Sequence, residues 1–201
     1  MLVRLLAYTP DPEAVVATAA RVCYARKMPK RQKRKKDYLL MLVSSGHLSP
    51  FEHASFSFTI EGISRACLCQ LTRHRMASYS VRSQRHVSST DVVCPFKEGQ
   101  PAKEVFDSVV RHSREAYERL IAAGVAREDA RSVLVEASKT QLVMTANARS
   151  LMNFFNLRTC SRAQGEIRQL ANSMLSLCRG VAPTIFAGPF PDCRLCQKCV
   201  K

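Results

Sequence analysis

The chain has no tryptophan, and its seven glycines and nine prolines are few for 201 residues. That scarcity excludes a collagen-like or low-complexity polymer, both of which need those residues in bulk. Carboxylates are scarce as well: 16 Asp and Glu stand against 31 Lys and Arg, a formal net charge of +15. No window approaches the roughly 18 consecutive apolar residues that suggest a membrane span. The opening Met-Leu-Val-Arg-Leu-Leu-Ala-Tyr is too short an apolar run for a secretory signal, and Asp11 and Pro12 follow closely. No membrane partner is therefore expected, and the expected compartment is the cytoplasm. The nine cysteines are an odd number, and Cys23, Cys67, Cys69 and Cys178 sit in apolar, helix-like patterns. Reduced thiols are the default for such a chain.

What is present describes an ordinary globular protein, with a hydrophobic fraction of 46%. The positive excess attracts polyanions and steers phosphorylated ligands towards the surface. Charge alone does not separate a nucleic-acid binder from an enzyme of nucleotides. Aromatic residues do not interleave with the basic segments as stacking platforms require, so no specific nucleic-acid partner is expected.

Residues 1–8 read as a strand. Asp11 before Pro12 is a helix start, and the helix runs to about Tyr24. Residues 26–36 hold eight Lys or Arg. They suit a solvated loop or helix start, with a polyphosphate or nucleic-acid contact as the alternative. A short helix follows from Asp37 to Ser45 and ends at Gly46. Residues 55–60 alternate as a half-buried strand, and 63–76 read as a helix on which Gln70, Arg73 and His74 share a face. The segment 78–95 is irregular and can pair as strands. A long helix spans 105–123 and closes at Gly124, and a shorter one at 127–136 carries Arg131. Residues 140–145 are β-like. A helix covers 148–158, and another opens on a capping box, Ser161 to Gln164, and stops at Gly180. The expected class is mixed α/β, of the α+β kind: a single domain with a small, mostly antiparallel sheet flanked by long helices.

Two clusters carry chemistry. Between Arg73 and Arg85 lie four arginines, a histidine and three serines, with no carboxylate in the thirteen residues. Arginine offers a planar fork of donors suited to phosphate and carboxylate oxygens, with serine hydroxyls beside it. Such a segment either faces solvent or receives an anion. Downstream, Asn147, Arg149, Asn153, Asn156 and Arg158 stand among apolar residues, and Asn147, Ser150, Asn153 and Asn156 are spaced by three. Asparagine inside a helix needs a partner for its amide. The row therefore faces a ligand or a subunit interface, or belongs to a buried structural network.

In order and spacing these segments resemble the flavin-dependent thymidylate synthases. Arg73-His74-Arg75, Ser78, Ser83 and Arg85 match that family's signature, and Gln70 stands three residues before it. The run from Asn147 to Arg158, followed by Ala163-Gln164-Gly165-Glu166-Ile167-Arg168, is similar to its C-terminal helices, and Ser49-Pro50-Phe51-Glu52-His53 to its N-terminal segment. The resemblance spans residues 1–185, taken as the catalytic domain, with 186–201 as a basic tail. Four positions depart from the family's common pattern: Ser80-Val81 replaces Asn-Glu, His86 replaces Tyr, and Val135 replaces Pro.

The resemblance implies reductive methylation of dUMP to dTMP. Methylenetetrahydrofolate is the carbon donor, and FAD reduced by NADPH is the hydride donor. It implies dUMP binding by Gln70, Ser83, Gln84, Arg85, Arg131 and Arg158, with Arg158 also orienting and activating the substrate, and no protein nucleophile. FAD would meet Arg73, His74, Arg75, Asn147, Arg149 and Asn153. His47 and His53 would lie near flavin or folate, or are structural. The family forms homotetramers whose sites are shared between subunits. Cys193, Cys196 and Cys199 lie in the tail; their spacing suits metal ligation only with a fourth ligand, so no metal is expected. A nucleic-acid module and a non-catalytic relative are the competing readings.

Overall fold

The computed structural model describes residues 1–24, 32–85 and 91–191. Its sheet has four antiparallel strands, β1 (Leu2–Tyr8), β2 (Ser55–Ser64), β3 (Ala77–Val81) and β4 (Lys139–Asn147), in the order β1-β2-β4-β3. The described helices are α1 (Pro12–Tyr24), α2 (Gln32–Ser44), α3 (Arg65–Leu71), α4 (Pro101–Ala122), α5 (Arg127–Ala130), α6 (Ala148–Arg158) and α7 (Gly165–Val181). The mixed class and small sheet expected from sequence are what the chain forms. No described helix is long and apolar enough to cross a membrane.

Packing divides the chain into two compact units that are not successive in sequence. Unit one comprises the described residues among 1–2, 60–73 and 80–142; unit two comprises those among 3–59, 74–79 and 143–191. In unit two, Phe56 and Phe58 alternate inward on β2 as the period-two pattern requires. Phe186 meets Phe56 and Phe155 edge-on, with centroids 5.5 and 5.7 Å away. Such pairs add about 0.5–1.5 kcal/mol each to the area they bury. The inward face of α7 is Ile167, Leu170, Ala171, Met174, Leu175 and Cys178, a 3–4 spacing that makes one apolar stripe. Unit one buries Ile63, Cys67, Leu68 and Leu71 around α3, with Ala130 and Leu142.

Helix ends follow the local chemistry. Asp11 accepts the Ala14 N–H at 3.1 Å, so the expected start of α1 is correct. Gly124, at φ +81°, ends α4 in the left-handed conformation that glycine tolerates. That helix begins earlier than expected, with Pro101 in its first turn. Part of the basic run at 26–36 lies outside the described residues, and α2 takes in its end from Gln32.

Four expectations are corrected. The helix at 63–76 is only α3, ending at Leu71. The Thr72 hydroxyl bonds back to the Leu68 carbonyl at 3.1 Å, and Arg73-His74-Arg75 has no apolar side chain to bury and extend it. Gln70, Arg73 and His74 therefore share no helix face. The helix expected at 127–136 is α5 plus a 3₁₀ turn at Arg131–Val133, and the chain becomes extended at Leu134 without a proline. Ser161 does not cap α7; Gln164 does, accepting the Glu166 and Ile167 N–H groups at 3.1 and 3.2 Å. Gly180 lies inside α7, which continues to Val181 because its backbone there is helical and Pro183 comes only two residues later.

Candidate active site

In unit two the site is built on α6. Asn147 caps that helix, accepting the Ser150 N–H at 2.9 Å. Its amide oxygen thus serves the fold, and the expected row of polar side chains loses its first member to capping. Phe154 and Arg158 stand four residues apart on the same helix face and hold one imidazole between them. The His74 ring meets Phe154 edge-on at 4.8 Å, and its Nε2 accepts from Arg158 Nε at 3.2 Å. The His74 carbonyl accepts the Tyr79 hydroxyl at 2.8 Å. Burial, and then the Arg158 charge, push the imidazole pKa down to about 4. His74 is therefore neutral at pH 7, with the Nε2 lone pair facing the guanidinium. Burial raises the Tyr79 phenol to about 12, so it remains a donor.

The other expected residues of this unit are more open. Arg149 pairs with Glu52 at 2.5 Å, and both are about half exposed. Arg75, Asn153, His47 and His53 are exposed. In unit one Arg73 is also exposed, just past the end of α3.

Unit one holds the remaining expected residues in a charged knot. The Ser83 hydroxyl accepts the Arg85 N–H at 3.1 Å, a local turn that fixes the loop after β3. Arg85 Nε approaches the Glu128 carboxylate at 3.4 Å, and Arg131 Nε donates to the Glu128 carbonyl at 3.0 Å. Arg65 Nη2 donates to the Arg82 carbonyl at 3.1 Å, immediately before Ser83. Burial, and next the nearby Arg131 charge, lower the Arg65 pKa, while Glu136 opposes the shift. Gln84 is half-buried, and Gln70 Nε2 reaches the Ala66 carbonyl at 3.5 Å.

The family model for the thymidylate synthase complementing protein matches residues 4–184. The chain belongs to the flavin-dependent thymidylate synthase family. It is similar to the flavin-dependent thymidylate synthase of Geobacter sulfurreducens, with 47% identity over 96% of this chain and 88% of the relative. The enzyme of the same name from Clostridium tetani is 42% identical over 95% of this chain and 87% of its own length. That from Nitratidesulfovibrio vulgaris is 39% identical, covering 98% and 90%.

Membership in this flavin-dependent family gives the geometry a test. In unit two Arg75 is an exposed cation with no carboxylate in its own segment, and Asn153 is an exposed amide. Donors of these two kinds suit the diphosphate and the polar ring edge of a flavin dinucleotide. Asn147 and Arg149 fit less directly, since one caps a helix and the other is ion-paired. Of the family's expected dUMP residues, five lie in unit one and Arg158 in unit two. The Ser80-Val81 departure falls on β3, with Ser80 exposed. Among the described residues no group of His, Cys, Asp or Glu could hold a metal ion. Cys193, Cys196 and Cys199, with His86, lie outside the described residues.

Sequence reasoning overlooked Arg65, Glu128, Phe154 and Tyr79. Phe154 had a signal, its i, i+4 relation to Arg158. Glu128 had only its i, i+3 relation to Arg131, because its other partner, Arg85, comes from a distant stretch of chain.

Proposed function

We propose that this chain catalyses reductive methylation of dUMP to dTMP, with methylenetetrahydrofolate as carbon donor and NADPH as the source of reducing equivalents. FAD, when bound and reduced, supplies the hydride. The observation that carries this reading is the Arg158–His74 hydrogen bond at 3.2 Å, in a chain 47% identical to a flavin-dependent thymidylate synthase. It ties the residue expected on dUMP to one expected on the flavin.

The protein's part is binding and orientation. Arg131, Arg85, Ser83, Gln84 and Gln70 receive dUMP, and the arginines meet its anionic oxygens with charge-assisted hydrogen bonds. Arg158 orients the base and is itself aimed by neutral His74. Arg73, His74, Arg75, Asn147, Arg149 and Asn153 hold FAD, and His47 and His53 stand towards flavin or folate. No side chain attacks the pyrimidine. The enzyme acts as a cytoplasmic homotetramer. Support for assembly comes from apolar side chains left exposed on α4, Val105 at 67% and Val109 at 53%, and on β1, Leu6 at 59%.

The test supplies purified protein with dUMP, methylenetetrahydrofolate, FAD and NADPH and measures dTMP, with light scattering for the assembly. FAD-dependent dTMP formation by a tetramer is the expected result. Bound flavin without dTMP would point to a non-catalytic relative.

A further inference from the structure

Arg65 belongs to none of the residue sets above, yet it joins the parts of unit one that bear expected substrate residues. It is the first residue of α3, the helix that carries Gln70. Its main-chain N–H donates to the Ser138 carbonyl at 3.1 Å, and that of Ala66 to the Glu136 carbonyl at 3.0 Å, so the start of the helix is pinned. The side chain then reaches the Arg82 carbonyl at 3.1 Å, one residue before Ser83, Gln84 and Arg85. Arg65 Nε is buried and has no hydrogen-bond partner among the described residues. A buried donor without a partner is costly, and such groups mark places where position serves something other than stability.

Charge points the same way. Arg131 stands near enough to Arg65 to oppose its protonation, and Arg131 and Arg85 both converge on Glu128. Of these contacts only that of Arg85 reaches a carboxylate, since Arg131 donates to the Glu128 main-chain carbonyl and Glu136 acts on Arg65 through its charge alone, so the knot retains surplus positive charge. A phosphate brought to it would complete the pairing.

We propose that Arg65 is a positioning residue for the phosphate of dUMP: by holding the main chain at Arg82 it presents Ser83, Gln84 and Arg85, together with Arg131, to one anion. The proposal rests on the reading of the chain as a dUMP-binding enzyme. Lysine at this position keeps the charge but lacks the planar fork that reaches a carbonyl while lying beside a second guanidinium.

The experiment titrates the full chain and its Arg65→Gln and Arg65→Lys variants with dUMP and with deoxyuridine, which lacks the phosphate. FAD affinity and melting temperature are recorded alongside. Arg65→Gln is expected to weaken dUMP binding by about tenfold or more, the loss typical of a charge-assisted contact. Deoxyuridine and FAD affinities stay as in the wild type, Arg65→Lys recovers part of the loss, and KM for dUMP rises more than kcat falls. Unchanged dUMP affinity in Arg65→Gln would overturn the proposal. So would a joint loss of dUMP, deoxyuridine and FAD binding with a lowered melting temperature, the mark of a purely structural arginine. A wild-type chain that binds no dUMP would overturn this proposal and the proposed function together, and is told apart because that failure does not involve Arg65.

Discussion

Two arginines expected on dUMP, Arg158 in unit two and Arg85 in unit one, are held by opposite means. In unit two Arg158 is aimed by a half-buried, neutral imidazole that is itself braced against Phe154. In unit one Arg85 and Arg131 converge on Glu128, and the Arg85–Glu128 pair is more than half exposed on both sides. A group held by packing loses orientation only when the core is disturbed. A group held by an exposed ion pair stays adjustable, because water and salt compete for both partners. The difference separates a firmly held arginine in unit two from a compliant one in unit one.

The comparison is broken most severely by Phe154→Ala. Removing a fully buried phenylalanine costs about 3–5 kcal/mol, and it leaves the His74 ring without its packing partner. Denaturant unfolding measures the loss, and an unfolding free energy within 1 kcal/mol of wild type would contradict the account of α6.

Arg158→Ala comes next. It should weaken dUMP binding by about 1.5–3 kcal/mol, the range for a hydrogen bond to a charged group, with the fold intact. It should also raise the His74 pKa part of the way, since burial, the larger cause of its depression, stays while the second cause, the Arg158 charge, is gone. Calorimetry with dUMP and a histidine NMR titration read the two effects separately. Unchanged affinity would remove Arg158 from the substrate site.

The third test uses pH. The folded His74 pKa, about 4, lies below the ordinary histidine value of 6.5, so the unfolded chain binds this proton more readily. Stability associated with His74 is present above about pH 6.5 and is lost as pH falls towards 4. The ring is only half-buried, so solvent moderates the effect to on the order of 1–2 kcal/mol. His74→Gln should flatten the stability profile across that window, and an unchanged slope would count against a buried neutral imidazole.

The smallest effect belongs to the open cluster. Glu128→Gln should shift stability by less than about 0.5 kcal/mol, as expected of exposed ion pairs, while leaving Arg131 bonded to the main-chain carbonyl. A calorimetric melt that shows a large loss would mean that unit one is as rigid as unit two and would erase the contrast.

Much of the architecture was legible because its causes are local. The alternation of Phe56, Phe58 and Ile60, the Asp11 start of α1, the Gly124 stop and the limits of α6 are each set by side chains within a few positions of one another. Legibility failed where local signals were weak or competed. The basic segment after Leu71 carried no apolar stripe to mark the end of α3, and the capping box read from Ser161 opened α7 three residues before its actual cap, Gln164.

By itself the sequence determined the mixed fold class, the apolar faces of the long helices and the two cation-rich segments that identify the family. These depend on periodicity, turn chemistry and motif order, all of which lie along the chain. The tertiary structure alone decided which cations are paired and which remain open. His74 and Arg158 are 84 residues apart, and Arg149 and Glu52 are 97 apart. Whether such groups meet depends on strand pairing and core packing, and burial then sets the protonation state in which they meet.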